Sequence, residues 1–128
     1  MTPIRSLSMA VATMLLIQIA LGAAAAFLNA PVISHLAWGV LSFVALLALV
    51  YLIVKQFGTK SKPFRYSIIA VVDFIIQGIL GFVSLNSSVA SIVHLANAII
   101  LMVIVIMLIR TVARTPPPVK KVIAAATP

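Results

Sequence analysis

The sequence predicts an all-α membrane protein: a bundle of four transmembrane helices, made of two tandem helical hairpins in antiparallel packing with pseudo-two-fold symmetry. Three observations predict it. The first is composition: of 128 residues, 64% are hydrophobic and 8% charged, with one acid in all, whereas a soluble domain needs about 25% charged residues to cover its surface. The second is segmentation into four apolar runs at about 7–28, 31–54, 66–85 and 89–109, each matching the ~20 residues that cross a hydrocarbon core as a helix. Barrel strands would be shorter and would alternate apolar with polar. The third is an internal repeat, since "IQIALGAAAAFLNAPVISHLAWG" returns 59 positions later as "IQGILGFVSLNSSVASIVHLANA".

The first span follows Arg5 and ends in "GAAAA", which gives it some look of a secretory leader with a small-residue cleavage site. Its apolar run is too long for that, and its Gln18 and Gly22 are matched by Gln77 and Gly81 of the third span. Half of a repeat is expected to be retained. The turns "LNAPVIS" and "LNSSVAS" after spans one and three are short and uncharged, so each hairpin is antiparallel. Between the hairpins lies "KQFGTKSKPFR", whose charges, Gly58 and Pro63 punctuate helices. After span four, residues 113–128 form a basic, proline-rich tail that cannot continue a helix past three prolines.

All nine Lys and Arg fall in three places: Arg5; Lys55, Lys60, Lys62 and Arg65; and Arg110, Arg114, Lys120 and Lys121. The positive-inside rule then puts both termini and the central loop on the cytoplasmic side of the cell membrane. The net charge of +8 is a topology signal that rests on anionic headgroups of the lipid bilayer, and it does not indicate nucleic acid. With no cysteine, disulfides, thiolate clusters and thiol catalysis are excluded. Neither a phosphate-cradling glycine loop nor a Ser/His/Asp arrangement is present, so hydrolysis and phosphoryl transfer have no candidates.

The only two histidines, His35 and His94, each stand thirteen positions after the glycine of the repeat. Spans two and four run in the same direction, which brings the two residues level, about one turn below the outer surface. An ionisable side chain inside a span is a functional candidate by default, with interhelical hydrogen bonding as the plainer role. Zinc or copper sites ask for three or four protein ligands, which this chain cannot supply. Haem iron asks for two axial ligands, since the porphyrin gives four nitrogens. The expected cofactor is therefore a haem, most simply of the b type, held by His35 and His94. Gly39 and Ala98 follow the histidines by one turn on the same face and are expected to make room for a flat macrocycle. Gly22 and Gly81 would let spans one and three approach it, or would serve plain helix packing. Gln18 and Gln77 are expected to bond between helices, or to touch the haem edge. Trp38 is an interface anchor or a packing partner of the ring. Asp73 lies in line with Gln77 and Gly81, pointing into the bundle, where insertion costs predict a protonated or paired carboxyl; a hydrogen-bonded structural group, a proton or quinol role, and a salt bridge to a partner subunit are its alternatives.

The Gln-x-x-Leu-Gly … His-x-x-x-small pattern, found twice over about residues 10–110, resembles the haem A synthase (cytochrome oxidase assembly) family. That family joins two four-helix halves, each with a histidine pair on its second and fourth helices, and half-length forms exist. The resemblance implies that His35 and His94 are axial haem ligands. The chain departs from the family at Val32, where the catalytic half has a glutamate, at Leu36, where an arginine is common, and in lacking the outer cysteine pair. The resemblance therefore supports haem binding better than synthase chemistry. The expected function is a bis-histidine, b-type cytochrome-like subunit for electron transfer, working with other subunits of a respiratory or oxidase complex or as a homodimer. The alternatives are a half-length synthase-like enzyme and a cofactor-free accessory subunit.

Overall fold

A computed structural model describes residues 3–116. Four helices account for nearly all of them: α1 (Pro3–Phe27), α2 (Val32–Phe57), α3 (Lys62–Ser84) and α4 (Ser88–Arg114). All four are long and apolar enough to cross a membrane. Each extends beyond the apolar run from which it was expected, because helical hydrogen bonding continues into the polar ends where Lys55, Lys62, Arg65 and Arg110 sit. At 23–27 residues the helices are about 35–40 Å long, more than the ~30 Å hydrocarbon thickness. The tail expected at 113–128 begins later than that, after Arg114, and from residue 117 it lies outside the described residues.

The connections follow local chemistry. Asn29 takes the left-handed conformation (φ 55°), which a short polar side chain tolerates, and the chain turns back so that the Ala30 N–H donates to the Ala24 carbonyl at 3.2 Å. The central connection is shorter than "KQFGTKSKPFR", covering only Gly58–Ser61, since α2 runs on through Lys55 to Phe57 and α3 begins at Lys62, just before Pro63. Gly58 has φ 77°, a region that costs little only for glycine. The Ser61 hydroxyl accepts from the Phe64 N–H and the Ser87 hydroxyl from the Ala90 N–H. Both are N-caps that satisfy a first-turn donor, and Pro63 in the first turn has no donor to lose.

Around the bundle the order is α1, α2, α3, α4, each packing on its two sequence neighbours, with α4 closing on α1. Helices α2 and α4 therefore sit on one diagonal and α1 and α3 on the other. The buried core comprises Ile4, Val11 and Leu15 of α1, Leu46, Leu49 and Ile53 of α2, Ala70 of α3, and Leu101, Val105, Leu108 and Val112 of α4. All of these residues lie in the half of the bundle that carries the basic helix ends. Ser8 and Ser67 are fully buried there, as is Ser42 near the middle of α2, and each hydroxyl donates to a carbonyl of its own helix at 2.8–2.9 Å. Small residues of this kind let helices approach closely where lipid provides no hydrophobic drive. Beyond the Ser42 level, toward the opposite ends of the helices, none of the described residues is fully buried, and both histidines are found there.

Candidate functional site: two facing imidazoles

The repeat builds the same clamp in each hairpin. His35, in the first turn of α2, bonds through Nδ1 to the backbone carbonyl of Gln18 on α1 at 3.0 Å. His94, in the second turn of α4, bonds through Nδ1 to the Gln77 carbonyl on α3 at 3.1 Å. A carbonyl only accepts, so Nδ1 carries the proton in both rings and Nε2 keeps its lone pair. A backbone carbonyl on one ring nitrogen is the usual support of a metal-ligating histidine, fixing its tautomer and orientation.

One turn beyond each glutamine, the glycine makes space for the ring. A Cβ on Gly22 would stand 2.9 Å from His35 Cε1, and one on Gly81 would stand 3.0 Å from His94 Cε1. The two glycines thus lie against the imidazoles themselves. Gly39 departs from expectation: the space beside it is taken by the Gln18 amide, whose Nε2 would be 2.9 Å from an added Cβ. Ala98, its counterpart, is half-buried on α4.

The two clamps meet across the α2–α4 diagonal. The ring centres of His35 and His94 are 6.2 Å apart with their planes at 85°. Two imidazoles on one metal, with bonds of about 2 Å and a ring radius of ~1.1 Å, have centres roughly 6 Å apart, so the separation suits a shared ion. Among the described residues no third His, Cys, Asp or Glu joins them. A donor set of two neutral imidazoles fits an ion whose remaining positions are filled by its own macrocycle, and it does not fit a protein-built zinc or copper site.

The surroundings differ between the hairpins. In the first, Gln18 Nε2 donates to His35 Nε2 over a long 3.4 Å, and Gln18 Oε1 is buried without a partner. Trp38 spans to α1, its indole N–H donating to the Met14 carbonyl at 2.9 Å, so it ties the hairpin together. In the second, Gln77 Nε2 donates to the His94 carbonyl at 3.0 Å and Gln77 Oε1 accepts from Asn97 Nδ2 at 2.9 Å. The Asn97 side chain also stands beside the Asp73 carboxyl, whose Oδ2 is buried with no hydrogen-bond partner. Sequence reasoning found both histidines and both glutamines but missed Asn97 and the backbone carbonyls. A carbonyl acceptor has no residue signature, and Asn97 was signalled only by its register with Trp38. Comparison with protein-family models, with curated proteins and with solved structures gives no match to this chain.

Proposed function

We propose that this chain is an integral-membrane, bis-histidine haem-binding protein of the b type, carrying single electrons within a respiratory or oxidase assembly of the cell membrane. The observation that supports it is the pair of Nδ1-anchored imidazoles, 6.2 Å apart on the bundle diagonal. Haem bound between two imidazoles supplies a one-electron couple with both axial positions filled. His35 and His94 would be the ligands. The Gln18 and Gln77 carbonyls hold each ring in the tautomer that leaves Nε2 unprotonated, with its lone pair available. Gly22 and Gly81 admit the rings so closely that an added Cβ would require the imidazole to shift. Trp38 and Asn97 fasten α2 to α1 and α4 to α3, keeping each ligand at its depth.

Electron transfer is better supported than modification of the haem. The one carboxylate, Asp73, neighbours Asn97 rather than His35, and the positions flanking His35 by a turn or less carry the exposed, apolar Val32 and Leu36. Both termini and the Gly58–Ser61 connection lie on the cytoplasmic side in this reading, with the histidines toward the outside. The chain works beside other membrane subunits or as a homodimer.

The test is a reduced-minus-oxidised absorption spectrum of the full-length protein purified from membranes in detergent. A Soret band and a sharp α band are expected, both lost in His35→Ala and in His94→Ala. No haem band in the unaltered protein overturns the proposal in favour of a cofactor-free accessory subunit. A pyridine haemochrome of a modified haem would instead favour the synthase-like enzyme.

A further inference from the structure

Asp73 is the chain's only carboxylate, and the site as described does not use it. It shares a stripe of α3 with Gln77 and Gly81, at i+4 and i+8, and that stripe ends against the His94 ring. A line of side-chain amides follows the same path. Gln77 donates to the His94 carbonyl, Asn97 donates to Gln77, and Asn97 stands beside Asp73. One oxygen of Asp73 is buried and bonded to nothing. The first hairpin has no such line, because Met14 occupies the place of Asp73 and Trp38 that of Asn97. The polar run is thus an addition to one copy of the repeat and is not required by the clamp.

A carboxylate inside a span is costly unless its charge is compensated, so its proton occupancy responds to a charge added nearby. Helix α3 packs on α2 and α4. The titratable or charged residues of α2 are His35, Tyr51 and Lys55, and those of α4 are His94, Arg110 and Arg114; α3 itself adds Lys62, Arg65 and Tyr66. The Lys and Arg residues sit at the basic end, and among the described residues none of the nine hydrogen-bonds to Asp73. The variable charge on the Asp73 side of the bundle is then the one at the histidine pair.

We infer that Asp73 is a proton-exchanging site linked to the charge held between His35 and His94. Asp73 takes up one proton from water as one electron arrives from a one-electron donor of the membrane, and it releases that proton as the electron leaves. The added negative charge and the added proton cancel, so the span carries no net charge change. This inference rests on the haem reading above.

The experiment is a spectroscopic redox titration of the purified full-length protein at a series of pH values. The midpoint is expected to fall as pH rises through one window and to be flat on either side. The slope is at most about 59 mV per tenfold change in proton concentration for a one-electron couple. Asp73→Asn is expected to keep the Soret band and flatten the profile. A reduced-minus-oxidised infrared spectrum of the unaltered protein is expected to gain a protonated-carboxyl band on reduction, which holds the inference to account even if the variant does not fold. A pH-independent midpoint, a slope surviving in Asp73→Asn, or no carboxyl band on reduction overturns it. A missing Soret band in the unaltered protein is a different result and removes the haem reading itself.

Discussion

At Gly22 and Gly81 the neighbour that an added methyl would meet is an imidazole ring anchored by its own hydrogen bond. Replacing glycine by alanine inside a helix ordinarily stabilises it by up to about 1 kcal/mol. Here the ring must move away from the carbonyl that holds it, and that loss outweighs the helix gain. Gly78 is the internal control, since a Cβ there meets nothing within 4 Å. Gly39 is intermediate, because the Gln18 amide in its way is the end of a flexible side chain. Gly78→Ala is expected to raise the thermal midpoint in detergent and leave haem content unchanged. If the chain holds haem as proposed, Gly22→Ala and Gly81→Ala are expected to lower its occupancy severalfold without abolishing the fold, with Gly39→Ala between these and Gly78→Ala. Occupancy read from the Soret-to-protein absorbance ratio checks the order. These glycines were visible in the sequence as repeat positions, but their partner was not, since a glycine says only that something comes close.

The hairpin is the unit at the next scale. Both hairpins use one helix to supply a carbonyl and a glycine and the other to supply the histidine, and that division was legible because the residues recur with constant spacing. What fastens each hairpin was not legible, because Trp38 and Asn97 do the same job with different chemistry. Trp38 donates to a helix carbonyl, which keeps its helical bond when the indole is lost. Asn97 donates to Gln77 Oε1, which has no other recorded donor. Interhelical hydrogen bonds in membranes average about 0.6 kcal/mol and reach about 1.7 kcal/mol. Asn97→Leu is expected near the upper value, since it leaves an acceptor unpaired, and Trp38→Phe near the lower. Unfolding from detergent micelles by a denaturing surfactant measures both, and equal losses would show that the amide pair is not special.

Across the whole molecule, packing and chemistry occupy opposite ends. Every fully buried residue lies at mid-span or toward the basic helix ends, and the ends that carry the histidines are only partly buried. Leu46→Ala, deep in the packed half, is expected to cost about 2–5 kcal/mol. Val40→Ala, at a residue 61% exposed one helix turn and a half nearer the site, is expected to cost well under 1 kcal/mol. Thermal unfolding of the two variants decides, and equal costs would mean that the histidine end packs more tightly than this. The four spans, their antiparallel order and the meeting of the histidines were all readable in the chain, because apolar length and duplication report them directly. The split between ends was not readable, because leucine, isoleucine and valine fill both halves and lipid-facing positions look like core.

Every hydrogen bond that supports His35 comes from the first hairpin, and every one that supports His94 comes from the second. Among the described residues, the seam between the two imidazoles is therefore crossed by no hydrogen bond of theirs. Severing the chain at Gly58–Ser61 would leave two fragments, each holding the carbonyl that anchors its own imidazole. Such halves need only meet in the bilayer to bring the two rings together.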